Sequence, residues 1–188
     1  MNKKGFTLIE ILAVVIILGI VATIGIAAIS RNIENSRKSA TVDLGINYVE
    51  SLRAMRTEDK LPYDLKFGEA LLMPFKSIKG VNLEKAEETP YGKLVWEYCY
   101  VIIVNNDNKI YSYYLTMKDE TNHAINNIEA NDLNDKSVTV ATDNSVIPYI
   151  SFNNDTKITL GSKTYNVSQG KIINDSNGDI KYIVLSSR

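Results

Sequence analysis

The feature that most constrains this chain is an uncharged apolar segment close to its beginning. Residues 11–29 contain 19 positions without a single charge, and Thr23 is the only polar side chain among them. At 1.5 Å of rise per residue, a helix over 6–30 is roughly 37 Å long, which is enough to cross the hydrocarbon core of a bilayer. The pattern therefore predicts a single membrane-spanning helix.

An acidic residue, Glu10, stands at the start of this span. Two simple interpretations of the span are a secretory signal, with Lys3 and Lys4 as its basic region and Gly25-Ile26-Ala27 as its cleavage site, and an ordinary membrane anchor. Neither needs a carboxylate, which is costly in hydrocarbon unless it finds a partner or a proton. Glu10 therefore indicates a function, and a partner for it is expected.

The residues around Glu10 carry a specific resemblance over about the first 30 residues. Lys3-Lys4-Gly5-Phe6-Thr7-Leu8-Ile9-Glu10, followed by an uncharged helix, resembles the class III signal of type IV prepilins and pseudopilins. The resemblance implies that a prepilin peptidase cuts between Gly5 and Phe6 and then N-methylates Phe6. It also implies that Glu10 pairs with the α-amino group of Phe6 on a neighbouring subunit during assembly.

The physical logic of that pairing is simple. Cleavage creates a new cation at the membrane edge, and Glu10 lies about one helical turn deeper in the span. In a staggered bundle of such helices the carboxylate meets a neighbour's amine, which removes a buried unpaired charge. Apolar packing would then drive assembly, and one ion pair would set its register.

The segment departs from many type IV pilins because 21–30 contains no proline. Gly19 and Gly25 are its weakest helical positions, since each glycine disfavours a helix by about 1 kcal/mol relative to alanine. We expect any local melting of the helix in a fibre to centre on Gly25. The alternative is close helix packing through the small residues Gly19, Ala22, Gly25 and Ala28.

Residues 31–60 read as an amphipathic continuation of the helix, which should end near 56–61 because Leu61 precedes Pro62. Its apolar positions form two stripes more than about 90° apart. Such a helix suits one face against a head domain and one against other subunits, or full burial within one domain. The stripes are Ala40, Leu44, Tyr48, Leu52 and Met55, and Val42, Ile46 and Val49.

Residues 61–188 read as a β-rich globular head. The absence of alternating strands and helices favours an antiparallel sheet. The predicted fold class is thus α+β, a long N-terminal helix packed on an antiparallel sheet as in type IV pilins. The expected elements are a short helix at 67–75; a hairpin of 93–104 and 109–117 around a turn at 105–108; a loop or weak helix at 119–136; strands at 137–141 and 146–152; a hairpin of 157–160 and 163–167 around Gly161-Ser162 as a type II′ turn; and strands 171–173 and 180–185 around a turn at 174–179.

Composition narrows the chemistry. Lys and Arg number 21 against 22 Asp and Glu, so the net charge is −1, which disfavours a general nucleic-acid binder. The single cysteine, Cys99, precludes the internal disulfide that many pilins have; Gram-positive pilins often lack that bridge, and the Lys-, Asn- and Ile-rich composition is compatible with such a source. With one His, His123, a Cys/His zinc cluster is excluded. No nucleotide loop or hydrolase motif is present, so neither enzymatic activity nor a cofactor is expected.

One oxygen-rich segment, 174–179, is a weak calcium candidate through Asp175, Asn177 and Asp179. Its spacing does not fit the EF-hand, because Gly178 precedes Asp179 instead of following the third ligand. A plain β-turn is the favoured interpretation, and no metal is predicted.

These observations predict a leader at 1–5, a transmembrane and filament-core helix at 6–30, its amphipathic continuation at 31–60 and a head at 61–188. The expected function is that of a type IV pilus subunit supporting adhesion, twitching motility or biofilm formation. The alternatives are a pseudopilin of type II secretion or DNA uptake, and a secreted soluble protein with an ordinary signal peptide.

Expected partners are copies of itself, other pilins, prepilin peptidase, the assembly platform of the cytoplasmic membrane and, before assembly, lipid; no specific nucleic acid is expected. The subunit would start as a single-pass membrane protein and end in an extracellular pilus.

Overall fold

The computed structural model describes residues 7–81, 86–107, 110–142 and 144–187. Its first element, α1, is a 50-residue α-helix, Leu8–Thr57. The chain divides into two compact units, Met1–Arg37 and Lys38–Arg188, and α1 contributes to both. The helix ends within the interval set by Pro62, as the sequence predicts.

The second unit contains one eight-stranded sheet in the order β5-β4-β3-β2-β1-β8-β7-β6. Every neighbouring pair is antiparallel, which confirms the predicted α+β architecture. The strands are β1 Glu69–Pro74, β2 Tyr100–Asp107, β3 Ile110–Lys118, β4 His123–Glu129, β5 Thr139–Val140, β6 Lys157–Leu160, β7 Lys163–Asn174 and β8 Ile180–Ser186.

One face of the sheet packs on the last part of α1 to form the larger core. Both apolar stripes of the helix enter this single core, which favours burial within one domain over a division between a head face and a subunit face for this stretch. Leu52 is completely buried, Ile46 is half-buried and Ala40 is exposed. The buried helix residues are Val42, Leu44, Tyr48, Val49, Leu52 and Met55, and the sheet contributes alternate residues such as Leu71, Val101, Ile103, Leu115 and Val184.

The helix approaches the sheet most closely at Gly45. A Cβ atom built on Gly45 would lie 2.3 Å from Cδ2 of Leu115 and 3.1 Å from Sδ of Met117. No real side chain tolerates the first distance, so the absence of a side chain at position 45 sets the spacing between α1 and β3. Leu115 is fully buried and has little freedom to move away.

The opposite face of the sheet curls over a second core. Tyr100 is its central side chain; its ring meets Tyr149 and Phe152 edge-on, and its hydroxyl donates to the Ile147 carbonyl at 3.1 Å. The loop between β6 and β7 reaches β3, since a Cβ on Gly161 would lie 3.0 Å from the Tyr114 hydroxyl. The cluster includes Ala70, Leu72, Ile102, Val104, Ile158, Leu160, Tyr165, Val167, Ile183 and Leu185.

Three predicted elements are wrong, each for a physical reason. Residues 69–74 form a central strand instead of a helix; a short apolar run buried on both faces has no period that separates the two. The Asn-rich stretch 119–136 contains β4, which lies near the sheet edge, where Asn126 is exposed and Asn127 and Glu129 are half-buried. The expected strand at 146–152 is a 3₁₀ turn, Tyr149–Ser151, after Pro148, which cannot donate to a ladder.

The remaining elements differ mainly at their ends. The expected strand 93–104 begins only at Tyr100, after a 3₁₀ turn at Trp96–Tyr98. Strand β2 runs to Asp107 through an irregularity in the ladder, so the expected turn at 105–108 falls in the strand and its last residue lies outside the described ranges. The expected strands 163–167 and 171–173 join into β7, and the two-residue loop with Gly161 at φ +59° is confirmed.

Replacing Gly45 by alanine tests the close approach of α1 to the sheet. On an exposed helix this change would stabilise by about 1 kcal/mol through propensity. Here we expect the free energy of unfolding to fall by about 1–3 kcal/mol, because the new methyl group overpacks the core. Thermal unfolding of the full chain in detergent, followed by near-ultraviolet circular dichroism, measures the change.

Gly19→Ala is the matched control, since a Cβ on Gly19 meets nothing within 4 Å. An unfolding midpoint for Gly45→Ala equal to or above that of the wild type would contradict the proposed role of Gly45.

Candidate functional site

The first unit is dominated by an apolar surface with no partner inside the described chain. The most apolar 18-residue window of α1 has a mean hydropathy of 2.9, and 0% of it is buried. By length and composition this helix can cross a membrane. Its exposed large side chains lie on all sides of the helix: Leu8, Ile9, Ile11, Leu12, Val14, Val15, Ile16, Ile17, Leu18, Ile20, Val21, Ile24, Ile26, Ile29 and Ile33.

The beginning of α1 is a capping box formed by Thr7 and Glu10. The Glu10 carboxylate accepts from both the backbone N–H and the hydroxyl of Thr7, each at 2.8 Å. In return, the Glu10 N–H donates to the Thr7 hydroxyl oxygen at 3.4 Å. These bonds occupy backbone donors that a helix leaves unpaired at its first turn.

Sequence analysis missed this local role of Glu10, although the spacing Thr7-x-x-Glu10 before an apolar run is its signature. The carboxylate therefore has a hydrogen-bonded partner in its own chain, on the residue that follows Phe6. Its pairing with a neighbouring subunit remains a prediction. Gly5 and Phe6, the predicted cleavage and methylation site, lie outside the described residues.

Gly19 and Gly25 both lie within the continuous helix of the single chain. A Cβ on either would meet nothing within 4 Å, so neither glycine is needed for packing inside one chain. The hydroxyls of Thr23 and Ser30 donate to the carbonyls of Gly19 and Ile26 at 2.8 and 3.0 Å, a pattern that favours slight helix bending. Melting at these glycines in a fibre remains a prediction.

The only histidine belongs to a network around the buried carboxylate of Asp119. Oδ1 of Asp119 accepts from the N–H and the hydroxyl of Thr121 at 2.8 and 2.7 Å, and from the His123 N–H at 3.1 Å. Oδ2 accepts from the Thr89 hydroxyl at 2.8 Å. The His123 ring stacks on Tyr91, with the ring centroids 3.7 Å apart. His123, the first residue of β4, is therefore partly packed and not a freely solvated side chain.

The donor order in this network argues for a structural role. A carboxylate oxygen accepts hydrogen bonds, so the Thr121 hydroxyl is the donor in its hydrogen bond to Asp119. That leaves the Thr121 oxygen, 2.7 Å from Nδ1 of His123, as an acceptor for an Nδ1 proton. A nucleophilic hydroxyl would instead donate its hydrogen bond to the imidazole, which takes the proton during the reaction. The network ties the turn at 119–122 to the segment that contains Thr89.

The calcium candidate at 174–179 is organised as a turn by its own carboxylate. Oδ1 of Asp175 accepts from the N–H groups of Asn177 and Asp179 at 2.8 and 3.0 Å, and Gly178 takes a φ of +87°. This is the geometry of an Asx-stabilised turn, in agreement with the favoured β-turn interpretation. Across the described ranges, no group of three or more His, Cys, Asp or Glu side chains is placed to hold a metal ion.

Cys99 is buried in the larger core. Burial raises the pKa of its thiol to about 12. The thiolate, which is the reactive form, is therefore scarce at neutral pH. Cys99 therefore acts as a small apolar side chain of the core.

Comparison with known families identifies the beginning of the chain. Residues 1–26 match the family model of the prokaryotic N-terminal methylation motif, the class III signal of type IV pilins. No curated protein and no solved structure matches the chain. The resemblance carried by 3–10 is therefore confirmed, and it supports a protein of the pilin or pseudopilin type.

The Asp119 network gives a test of stability. Replacing Asp119 by alanine leaves the donors of Thr89 and Thr121 without their buried acceptor, and we expect a loss of about 2–3 kcal/mol in the free energy of unfolding. Chemical denaturation followed by tryptophan fluorescence measures it. Asp155→Ala, at an exposed turn, is the control and should change stability by less than about 0.5 kcal/mol. Equal effects of the two substitutions would refute the role of the network.

Proposed function

We propose that this chain is a structural, non-enzymatic subunit of a type IV pilus. The observation that carries the proposal is the match of residues 1–26 to the methylation motif, at the start of a long helix with an exposed apolar surface. Prepilin peptidase would cut between Gly5 and Phe6, and the mature chain would begin with N-methylated Phe6. Adhesion, twitching motility or biofilm formation would then be properties of the filament.

The apolar first unit supports polymerisation as the way in which this surface is covered. A helix that is apolar on all sides is stable in lipid or when surrounded by other helices, but not in water. Lipid covers it before assembly, and identical helices cover it in the filament. The subunit thus passes from the cytoplasmic membrane, through its assembly platform, to the cell surface.

Glu10 makes this exchange selective in the proposed mechanism. Its carboxylate bonds to Thr7 within one chain, at the first turn of α1. In a staggered bundle the same carboxylate meets the Phe6 amine of a neighbour, which adds a full positive charge to its surroundings. In a low-dielectric setting, the attraction between two opposite full charges is stronger than the hydrogen bonds that the carboxylate accepts from the uncharged donors of Thr7. Assembly in the correct register is therefore favoured over other arrangements.

Direct analysis of the mature N-terminus tests the processing step. Intact mass and N-terminal sequencing of the protein from its native membrane should give a chain that starts at methylated Phe6. A secretory signal with the alternative cleavage site would give a chain that starts at Ala28. A mature chain starting anywhere other than Phe6 would overturn the proposed processing.

Two substitutions separate the assembly role of Glu10 from its capping role. Glu10→Val removes both the acid and the cap, and we expect normal membrane insertion but no incorporation into filaments, scored by electron microscopy and membrane fractionation. Thr7→Val removes the hydroxyl that completes the cap, at a cost of about 1 kcal/mol, but leaves the acid free to pair.

Thr7→Val should therefore retain filaments. If Thr7→Val lost filaments as completely as Glu10→Val, filament assembly would depend on the cap and not on the intersubunit ion pair. Normal filaments from Glu10→Val would contradict the assembly role of Glu10 altogether.

The pseudopilin alternative shares the whole N-terminal argument. The size of the second unit, which extends from Lys38 to Arg188, favours a surface pilin over the small major pseudopilins of competence systems. Immunogold labelling with an antibody to this unit distinguishes a pilin from a pseudopilin, because the antibody would label long surface fibres only if the chain is a pilin. Labelling along the whole shaft would identify a major subunit, and sparse or tip labelling a minor one.

A further inference from the structure

A polar cleft lies in the second unit. It forms between the last turn of α1, the loop that follows it and the beginning of β3, and its volume is about 540 Å³. That volume is within the range of small-ligand sites in proteins. Its lining includes Arg56, Asp59, Leu61, Tyr63, Asp64 and Tyr111.

Arg56 is held in a fixed orientation on one wall of the cleft. Its Nε donates to the Tyr113 hydroxyl at 2.9 Å, and its guanidinium carbon lies 4.5 Å from the centre of the Tyr111 ring. Within the described chain, the two terminal nitrogens of Arg56 have no hydrogen-bonded or ionic partner. A guanidinium fixed by stacking and by its Nε presents its remaining N–H groups as a ready pair of donors.

Two carboxylates stand on the same lining with their oxygens available. Asp59 and Asp64 are both exposed, and neither makes an ion pair or accepts a hydrogen bond from any described residue. Asp59 takes a φ of +57°, which fixes the chain at the point where it leaves the helix. The cleft therefore offers up to four carboxylate oxygens as acceptors beside the donors of Arg56.

The rest of the lining is aromatic and aliphatic. Tyr111 and Tyr63 are half-buried, and Leu61, two residues before Tyr63, lines the same cleft. The Tyr63 ring is fixed, because its hydroxyl bonds to Glu69 at 3.1 Å and the Lys171 ammonium lies 5.1 Å from its centre. Rigid rings of this kind offer apolar contact area at little cost in side-chain entropy.

We propose that this cleft binds a neutral saccharide. Each hydroxyl of a sugar both donates and accepts, so neighbouring hydroxyls match a lining in which fixed donors of Arg56 stand beside the free acceptors of Asp59 and Asp64. The C–H face of a sugar ring matches the tyrosine and leucine surface. A nucleic acid or acidic polymer is disfavoured, because the two carboxylates outnumber the single guanidinium.

The inference depends on the proposed function only for where the cleft is displayed. In a surface filament the second unit faces the medium, and a saccharide site there would give the filament a target for adhesion. Binding itself is a property of the purified chain and does not require filaments. The two ideas can therefore fail separately.

Glycan binding by the purified full-length chain tests the proposal. The chain is kept in a detergent without a sugar headgroup, since a glycoside detergent would compete for the site. The probes are immobilised neutral oligosaccharides built from hexoses and N-acetylhexosamines, with heparin and single-stranded DNA as acidic comparisons. We expect binding to at least one neutral oligosaccharide and weaker binding to both acidic polymers.

The double substitution Asp59→Asn and Asp64→Asn keeps the shape of the cleft and removes its charged acceptors. We expect about a tenfold or greater loss of affinity, because hydrogen bonds to charged acceptors are replaced by weaker ones. Asp155→Asn, an exposed aspartate in another loop, is the matched control and should bind as the wild type does. Circular dichroism checks that both variants are folded.

Three results would overturn the inference: no binding to any neutral oligosaccharide, a preference for heparin or DNA over all of them, or equal binding by the wild type and the Asp59→Asn/Asp64→Asn variant. Filaments formed by that variant report on the function separately. A wild-type chain that forms normal filaments but binds no neutral oligosaccharide would reject the site and leave the pilus assignment intact.

Discussion

An apolar helical surface that water cannot accommodate governs the rest of this molecule. Large aliphatic side chains surround α1 over its first part and pack against no described residue. Burying each such side chain is worth about 1.5–3 kcal/mol, so the surface must be covered by lipid or by protein. The membrane stage and the filament stage of the proposed function are two ways to satisfy the same demand. In the proposed function, the polar groups at the start of the helix would decide which neighbour is correct.

The second unit differs from the first because it buries its apolar side chains within its own fold, without a disulfide bond. Its sheet has side chains buried on both faces, one against the end of α1 and one beneath its own curled C-terminal strands. The close contact at Gly45 fixes the helix against β3. Two apolar cores stabilise this unit, so it folds without a disulfide bond, and its single cysteine, Cys99, is free.

The sequence predicted those features that local chemistry determines. The length and end of α1, the antiparallel class and the β6–β7 loop follow from charge pattern, Pro62 and Gly161. The strand 69–74 and the polar strand β4 did not follow, because each is specified by its neighbours in the sheet and not by its own period. The Thr7–Glu10 cap could have been predicted from the spacing Thr7-x-x-Glu10, but a carboxylate at the start of a membrane span was interpreted only as a group that needs a partner on another subunit. The cleft around Arg56 could not be foreseen, since it joins a loop to a strand more than forty positions away.

The position of β8 bears on how this chain reaches its native state. The strand β1 pairs with β2 on one side and with β8 on the other, so the middle of the sheet joins residues 69–72 to residues 183–186. A ribosome makes β1 long before β8, and contacts between such distant segments slow folding. Until the last strand is available, the apolar edge of β1 stays open and prone to pairing with the wrong chain. The order of synthesis therefore makes the edge of β1 the point at which an incomplete chain is most exposed to aggregation.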